Sequence, residues 1–121
     1  KKADVDANFK RMVKYGLQKQ HAQAVHIGIG SHNVFDIAYA LVLRAENSVE
    51  ECVIFEMLEG MANPIARVVQ AIAGDILLYC PAATLEEFQN GVAYLMRRLD
   101  ENTLPENFLR YAFEIIPESI E

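Results

Sequence analysis

The chain has 121 residues, of which 52% are hydrophobic and 23% are charged. This composition is that of a globular domain with one core, and it argues against disorder. Acidic residues outnumber basic ones, 17 to 11, and give a formal charge of -6. We therefore expect no nucleic-acid binding through this segment, because phosphate binding needs a basic face.

The cysteines and the N-terminal sequence indicate the cellular compartment of the protein. Cys52 and Cys80 lie inside apolar runs, which favours buried thiols of a reducing compartment over a disulfide. No apolar run approaches the roughly 18 residues of a membrane span, and the N-terminal sequence has no apolar signal core. We therefore predict a cytoplasmic location. The chain starts without methionine, directly in a helical pattern, which suggests an excerpt of a longer protein.

The first part of the chain predicts a helix and then a strand–helix unit. From Asp4 to about Gln20, apolar residues recur at helical spacing and polar residues occupy the other side. The run AVHIGIGSHN then predicts a short strand, and VFDIAYALVLRAEN predicts a helix. Asn33 and Asp36 have the spacing of an N-terminal capping box.

The strand–helix pattern repeats. The runs ECVIFEMLEG and DILLYCPAA predict buried strands, and NPIARVVQAIAG predicts a helix with Pro64 in its first turn and Gly74 at its end. The last predicted helix is TLEEFQNGVAYLMRRLDEN, opened by Thr84 with Glu87 three residues later. Strands about 25 residues apart, each followed by a helix, indicate parallel βαβ packing with right-handed crossovers.

The number of predicted strands indicates a larger architecture. An open sheet of three strands that are apolar on both faces would be poorly covered. A closed eight-stranded barrel needs about 250 residues. We therefore expect residues 1–121 to be the C-terminal portion of such an α/β barrel, with about three strands and four helices, and the upstream strands to lie outside this chain.

The last predicted helix has two different sides. The residues at i, i+4, i+7 and i+11 that form the predicted core stripe are Phe88, Val92, Leu95 and Leu99. The polar side consists of Tyr94, Arg97, Arg98 and Glu101. From spacing alone, two interpretations stay open: a solvent-exposed side with weak ion pairs, or two guanidinium groups that bind a carboxylate bidentately.

Four sequence blocks occur in a characteristic order, namely SHNVFDIAYAL, FEMLEGMANP, LLYCPAA and AYLMRRLDEN followed four residues later by NF. In order and spacing they resemble the C-terminal half of flavin-dependent proline dehydrogenase, in the bifunctional bacterial form that is fused to a Δ1-pyrroline-5-carboxylate dehydrogenase. The resemblance extends from about Asp4 to Phe113, and the run Y-x-x-R-R-x-x-E-N is its most specific part.

The resemblance implies a fold and a reaction. The fold is a distorted (βα)8 barrel with FAD at the carboxyl ends of the strands and the last helix over the barrel mouth. The reaction is the first step of proline catabolism, in which L-proline becomes Δ1-pyrroline-5-carboxylate by hydride transfer to flavin N5. No nucleophile is required, and we expect no catalytic residue of that kind. We expect the segment alone to be inactive, because the essential lysine and more of the flavin bed lie upstream.

The resemblance also implies partners. Electrons would pass from the flavin to a membrane quinone, which places the protein in the cytoplasm or peripherally at the inner membrane face. NAD is expected only in the fused aldehyde dehydrogenase domain, and a homo-oligomer is compatible with the sequence.

Individual residues receive roles from the same resemblance. The implied substrate-binding residues are Tyr79, Tyr94, Arg97 and Arg98. The implied cofactor-binding residues are Ser31, His32, Asn33, Glu56, Met57, Arg98, Glu101, Asn107 and Phe108. Simple helix capping by Ser31 or Asn33, and core packing by Phe108, stay open as alternatives.

Two positions depart from the family pattern. Relatives commonly have glutamine followed by cysteine or another small residue where this chain has Glu56 and Met57. A carboxylate beside a reduced, anionic flavin is unfavourable, so we expect Glu56 to be protonated, paired or turned away.

Other functions fit the sequence less well. We predict no metal site, because the histidines and cysteines lack the close pairs that zinc sites use. The run GIGSHN lacks the third glycine of a dinucleotide loop. The alternative function is a noncatalytic α/β interaction domain whose arginine side docks an acidic partner.

Overall fold

The computed structural model describes residues 1–111 and divides the chain into two compact units, Lys1–Tyr79 and Cys80–Glu121. The elements of the first unit, in chain order, are α1 (Lys2–Gly16), α2 (Lys19–Ala22), β1 (Ile27–Gly30), α3 (Val34–Glu46), a 3-10 turn (Glu50–Cys52), β2 (Val53–Leu58), α4 (Asn63–Ala73) and β3 (Ile76–Tyr79). The described part of the second unit contains α5 (Phe88–Thr103) and α6 (Phe108–Tyr111).

The three strands of the first unit form one parallel sheet in the order β1-β2-β3. Ile29 pairs with Phe55, and Phe55 pairs with Ile76, so these side chains share one face. Helix α3 lies between β1 and β2 in the chain, and α4 lies between β2 and β3. The predicted parallel βαβ arrangement is therefore confirmed.

One face of the sheet holds the core of the first unit. Val53, Phe55 and Met57 of β2 are buried, whereas the residues between them are half-buried. Phe55 and Leu17 are the largest fully buried side chains among the described residues. The other buried apolar residues are Val13, Ala22, Ile29, Ile37, Ala40, Val49, Ala62, Ala66 and Val69.

A charged residue, Arg44, is buried beneath the sheet with only 7% of its surface exposed. Its guanidinium carbon lies 5.4 Å from the centroid of the Phe55 ring. Its Nη1 atom donates a 3.5 Å hydrogen bond to the carbonyl oxygen of Ala73, the last residue of α4. The cation is thus compensated by a ring face and by the negative end of a helix dipole.

Local signals define the ends of α3 and α4 as predicted. Asn33 caps α3, because its Oδ1 atom accepts a 3.0 Å hydrogen bond from the Phe35 N–H group. Pro64 stands in the first turn of α4, where its missing N–H group is not needed. Gly74 ends α4 with φ = 91°, a left-handed conformation that favours glycine.

Two predicted boundaries were wrong. The first helix does not continue to Gln20: α1 ends at Gly16, and the chain turns before the separate helix α2. The last helix begins at Phe88 and not at Thr84. Thr84 does contact Glu87, but their hydrogen bonds of 3.1 and 3.3 Å close a turn that precedes the helix.

The proposed capping-box partner of Asn33 was also wrong. The backbone N–H group of Asn33 donates to Ser31 Oγ at 3.1 Å. Asp36 instead lies 3.7 Å from Lys10 Nζ. The N–H group that Asp36 would have bound is already satisfied, because the serine hydroxyl is closer along the chain.

The prediction of burial failed at three places. Residues 77–79 of β3 are 41–50% exposed, Cys80 is an exposed free thiol, and the described residues of α5 include none that is buried. The predicted core stripe of α5 is exposed by 62%, 41%, 39% and 52% at Phe88, Val92, Leu95 and Leu99. An apolar stripe becomes a core only where a second element covers it.

Within residues 1–111, no helix is long and apolar enough to cross a membrane.

Candidate functional site

The carboxyl ends of the three strands are tied together by hydrogen bonds that continue beyond the sheet. Ser31 N–H donates to the Glu56 carbonyl oxygen at 3.3 Å, and Glu59 N–H donates to the Tyr79 carbonyl oxygen at 2.8 Å. Between them, Leu58 N–H donates to His32 Nε2 at 2.9 Å. The backbone at this edge is therefore held in place by neighbouring segments.

A pocket of about 210 Å³ opens at this edge and is lined by Gly30, Ser31, His32, Glu56, Met57, Leu58 and Tyr79. Open parallel sheets bind ligands at the carboxyl ends of their strands. The structure thus brings together five of the predicted site residues. Sequence reasoning missed Gly30 and Leu58, although both lie at strand ends, where ligand contacts are expected.

The hydrogen bond from the Leu58 N–H group determines which nitrogen of the neutral His32 ring carries the hydrogen. Because Nε2 accepts a hydrogen bond from a backbone N–H group, the hydrogen of the neutral imidazole is on Nδ1. Burial lowers the pKa of His32 below its usual value of 6.5. The side chain is therefore a neutral Nδ1–H donor at the pocket.

Ser31 and Asn33 both take part in the turn that leads into α3. The Ser31 hydroxyl oxygen accepts the bond from Asn33 N–H, and the Asn33 amide oxygen accepts the bond from Phe35 N–H. The capping alternative is confirmed for Asn33. The Ser31 hydroxyl hydrogen and the Asn33 amide hydrogens are not used by these bonds and can donate elsewhere.

Glu56 and Met57 are neighbours in β2 but lie on opposite faces. Met57 is 3% exposed and belongs to the core face, whereas Glu56 is half-buried on the other face. The strand continues to Leu58, one residue beyond the pair. The pKa of the Tyr79 phenol is raised above its usual value, first by a side-chain hydrogen bond with Glu56, and further by desolvation and by the charge of Glu56.

In the second unit, helix α5 brings together three residues of the predicted polar side. Arg98 Nη2 forms a 2.7 Å ion pair with Glu101 Oε1. The Arg98 guanidinium carbon lies 5.5 Å from the centroid of the Tyr94 ring. Arg97 is exposed. The Arg98 Nε atom is shielded from solvent and lacks a hydrogen-bond partner within the described chain.

Asn107 and Phe108 follow α5 and are half-buried. The Asn107 side-chain amide donates to the Glu101 carbonyl oxygen at 3.1 Å and to Asn102 Oδ1 at 3.3 Å. Asn107 therefore satisfies acceptors at the C-terminal end of α5. Phe108 is the first residue of α6.

The comparison with known families identifies the class of protein. A family model described as proline dehydrogenase matches residues 1–111. The chain belongs to the proline dehydrogenase family, whose members use FAD. No curated protein sequence matches the chain.

The chain is similar to solved structures of proline utilization A proteins, two of which are described here. Proline utilization A (PutA) from Corynebacterium freiburgense is 45% identical, with a TM-score of 0.77, and the match covers 84% of this chain and 10% of that protein. PutA from Bdellovibrio bacteriovorus, inactivated by N-propargylglycine, is 33% identical, with a TM-score of 0.81, and the match covers 93% and 11%. The chain therefore spans about a tenth of each of these proteins.

The pocket residues fit a flavin dinucleotide in their hydrogen-bonding character. FAD carries phosphate, ribityl and carbonyl oxygens that accept hydrogen bonds. The pocket offers donors at Ser31 and His32, and both stand directly before the N-terminus of α3, where backbone N–H groups favour anions.

Proposed function

We propose that residues 1–121 form the C-terminal portion of a distorted (βα)8 barrel in an FAD-dependent proline dehydrogenase. The observation that carries this proposal is the family match over every described residue. The parallel strand–helix units and the strand-end pocket support it, because barrel enzymes place their chemistry at the carboxyl ends of the strands. In this proposal the upstream strands come from sequence outside this chain, and α5 lies over the barrel mouth.

The substrate of the proposed enzyme is L-proline, and its carboxylate binds Arg97 and Arg98. Guanidinium groups bind a carboxylate bidentately and hold it in one orientation. The pairing of Arg98 with Glu101 and with the Tyr94 ring restricts its rotation. Its shielded Nε donor would gain an acceptor from the substrate. Tyr94 and Tyr79 pack around the pyrrolidine ring.

The cofactor-binding residues that we propose are Ser31, His32, Asn33, Glu56, Met57, Arg98, Glu101, Asn107 and Phe108. Ser31 and His32 supply donors, and the N-terminus of α3 favours phosphate charge. Met57 lines the pocket at the end of β2, although most of the residue is buried in the core. When bound, FAD supplies the hydride acceptor, flavin N5, for the oxidation of proline to Δ1-pyrroline-5-carboxylate.

The residues of this chain contribute orientation and not covalent chemistry. Binding the carboxylate at two arginines fixes the ring carbon next to the nitrogen relative to the cofactor, which lowers the entropic cost of reaction. Aromatic side chains at the ring exclude water from the reacting atoms.

The wider context of the enzyme follows the relatives. We propose a fused Δ1-pyrroline-5-carboxylate dehydrogenase domain that uses NAD, because the two solved structures described above are proline utilization A proteins. We also propose that a membrane quinone receives the electrons and that the segment alone is inactive, since the barrel would be incomplete.

A colour test addresses the proposed function directly. The purified protein that contains this chain should be yellow, and the colour should bleach when L-proline is added without oxygen. L-valine is the control, because it carries the same charged groups without the ring. Folded protein that is colourless, or yellow protein that does not bleach with L-proline, would contradict the proposal and favour the interaction domain.

A further inference from the structure

The His32 side chain joins the turn before α3 to the end of β2. The last paired residues of β1 and β2 are Gly30 and Glu56, and β2 continues to Leu58. Because the chain after β1 turns into α3, the backbone N–H group of Leu58 meets no further residue of β1. His32 Nε2 accepts this N–H group at 2.9 Å. A side chain thus replaces the backbone acceptor that a longer strand would supply.

The contact between His32 and Leu58 extends to the third strand. Leu58 is the register partner of Tyr79, and the next residue, Glu59, donates its N–H group to the Tyr79 carbonyl oxygen at 2.8 Å. Leu58 and Tyr79 both line the strand-end pocket. Displacement of the His32 ring would therefore disturb the edge of the pocket that these two residues form.

The second ring nitrogen of His32, Nδ1, is directed to other partners. It carries the hydrogen of the neutral ring and is not used by the bond to Leu58. The acidic residue in the pocket lining is Glu56. A Cβ atom built on Gly28 would overlap with Glu56 Oε1, so this carboxylate turns back along β1 and not to the turn that holds His32. The Nδ1–H group is thus available to an acceptor on a ligand in the pocket.

We propose that His32 is a positioning residue that couples cofactor binding to the substrate edge of the pocket. Its Nδ1–H group donates to an oxygen of the cofactor, and its Nε2 atom holds the Leu58 N–H group. Both roles need the same tautomer, since a neutral imidazole has one donor and one acceptor. This inference rests on the proposed function, in which FAD is the cofactor and Tyr79 contacts the substrate.

The coupling follows from the chemistry of one ring with two hydrogen bonds. Hydrogen bonds in a chain polarise one another, so a ligand bound at Nδ1 makes Nε2 a better acceptor. Without a ligand, the half-buried ring is held at one nitrogen by the Leu58 bond, and the end of β2 opens more often. Burial lowers the pKa of His32 and thereby keeps the ring neutral, as both bonds require.

Hydrogen–deuterium exchange of the full protein, followed by mass spectrometry, tests the coupling. In the wild type, FAD should slow exchange of the Leu58 and Glu59 amides by about three- to tenfold relative to protein from which FAD has been removed. His32→Leu has a side chain of similar size without nitrogen, and it should abolish this effect when flavin absorbance shows that the variant is saturated with FAD. His26→Leu, at an exposed position, is the matched control and should retain the effect.

Two polar variants separate the roles of the two ring nitrogens. His32→Gln can place its amide oxygen near the position of Nε2, so Leu58 should stay protected with and without FAD. His32→Asn can place its amide N–H group near the position of Nδ1 but does not reach Leu58, which should exchange fast with and without FAD. Slowing of Leu58 exchange by FAD in folded His32→Leu or His32→Asn would overturn the inference, and so would equal exchange in the wild type with and without FAD.

Kinetics at saturating FAD extend the test to the substrate edge. His32→Asn should raise KM for L-proline by about 2- to 10-fold, as expected for loss of one positioning hydrogen bond. An unchanged KM would overturn the coupling to the substrate edge. Yellow protein that does not bleach with L-proline, but in which FAD protects Leu58 only when His32 is present, would contradict the proposed function and still support the coupling between the cofactor and β2.

Discussion

The strand-end pocket of the first unit and the polar side of α5 are built from contacts of different range. In the pocket, His32 bonds to Leu58, which is 26 positions away in the sequence. On α5, Arg98 bonds to Glu101, which is three positions away. The contacts on the polar side of α5 therefore follow from the spacing of residues along the chain, whereas the pocket forms only when the three strands pair in register.

The two regions also differ in the interactions that hold their side chains in place. The pocket stands on a sheet whose other face is a core containing Phe55 and Ile29. Helix α5 has no buried residue within its described span, and its side chains are held by an ion pair and a ring contact. Changes to the core of the first unit should thus affect folding, and changes to α5 should affect binding.

Truncation of the core should have the largest effect. Phe55→Ala removes a fully buried ring and should lower the free energy of unfolding by about 3–5 kcal/mol. Phe88→Ala is the matched control, because Phe88 is 62% exposed, and it should cost less than about 1 kcal/mol. Urea titration followed by circular dichroism measures both. Equal losses would remove the distinction between the two regions.

Loss of an arginine on α5 should have an intermediate effect, on binding alone. Arg97→Met should raise KM for L-proline by about 10- to 100-fold, because a charge-assisted pair with the carboxylate is lost. The free energy of unfolding should change by less than about 0.5 kcal/mol, since Arg97 is exposed. Arg11→Met on α1 is the control for removing one exposed charge. Unchanged proline kinetics in Arg97→Met would refute the carboxylate assignment.

The smallest effect is expected from protonation of His32. Its folded pKa lies below 6.5, so the unfolded state binds more protons as the pH falls through 6.5. The free energy of unfolding should therefore fall with the pH below 6.5, by at most about 1.4 kcal/mol per pH unit. The loss should stop below the folded pKa, where both states are protonated.

Comparison of variants isolates this contribution from other titrating groups. His32→Gln should make the pH profile of stability flatter than that of the wild-type chain, whereas His26→Gln, at an exposed position, should not. Parallel profiles for wild type and His32→Gln would contradict the lowered pKa of His32 in the folded protein.

The features that could be predicted from the sequence are those that depend on contacts between residues close together in the chain. Asn33, Pro64 and Gly74 were placed correctly, because helix ends depend on residues within one turn. The contacts of Arg98 with Tyr94 and Glu101 match their helical spacing. The parallel sheet was predicted because its strands are apolar runs that alternate with helices.

The remainder depended on information that local patterns do not carry. The position of Glu56 over Gly28 and the bond from Leu58 to His32 require the register of β1, β2 and β3. The exposure of Val92 and Leu99 depends on which element covers α5, and an apolar stripe does not name its partner. Whether the proposed site residues contact FAD and proline stays a prediction.

The buried Arg44 has a consequence for how the first unit responds to its surroundings. A guanidinium keeps its charge throughout the range in which proteins stay folded. The Ala73 carbonyl group and the Phe55 ring, which contact this guanidinium, do not gain or lose a proton in this range either. The Arg44 contact between the end of α3 and the end of α4 is therefore insensitive to acid. Salt should weaken this contact little, since the charge is shielded from mobile ions.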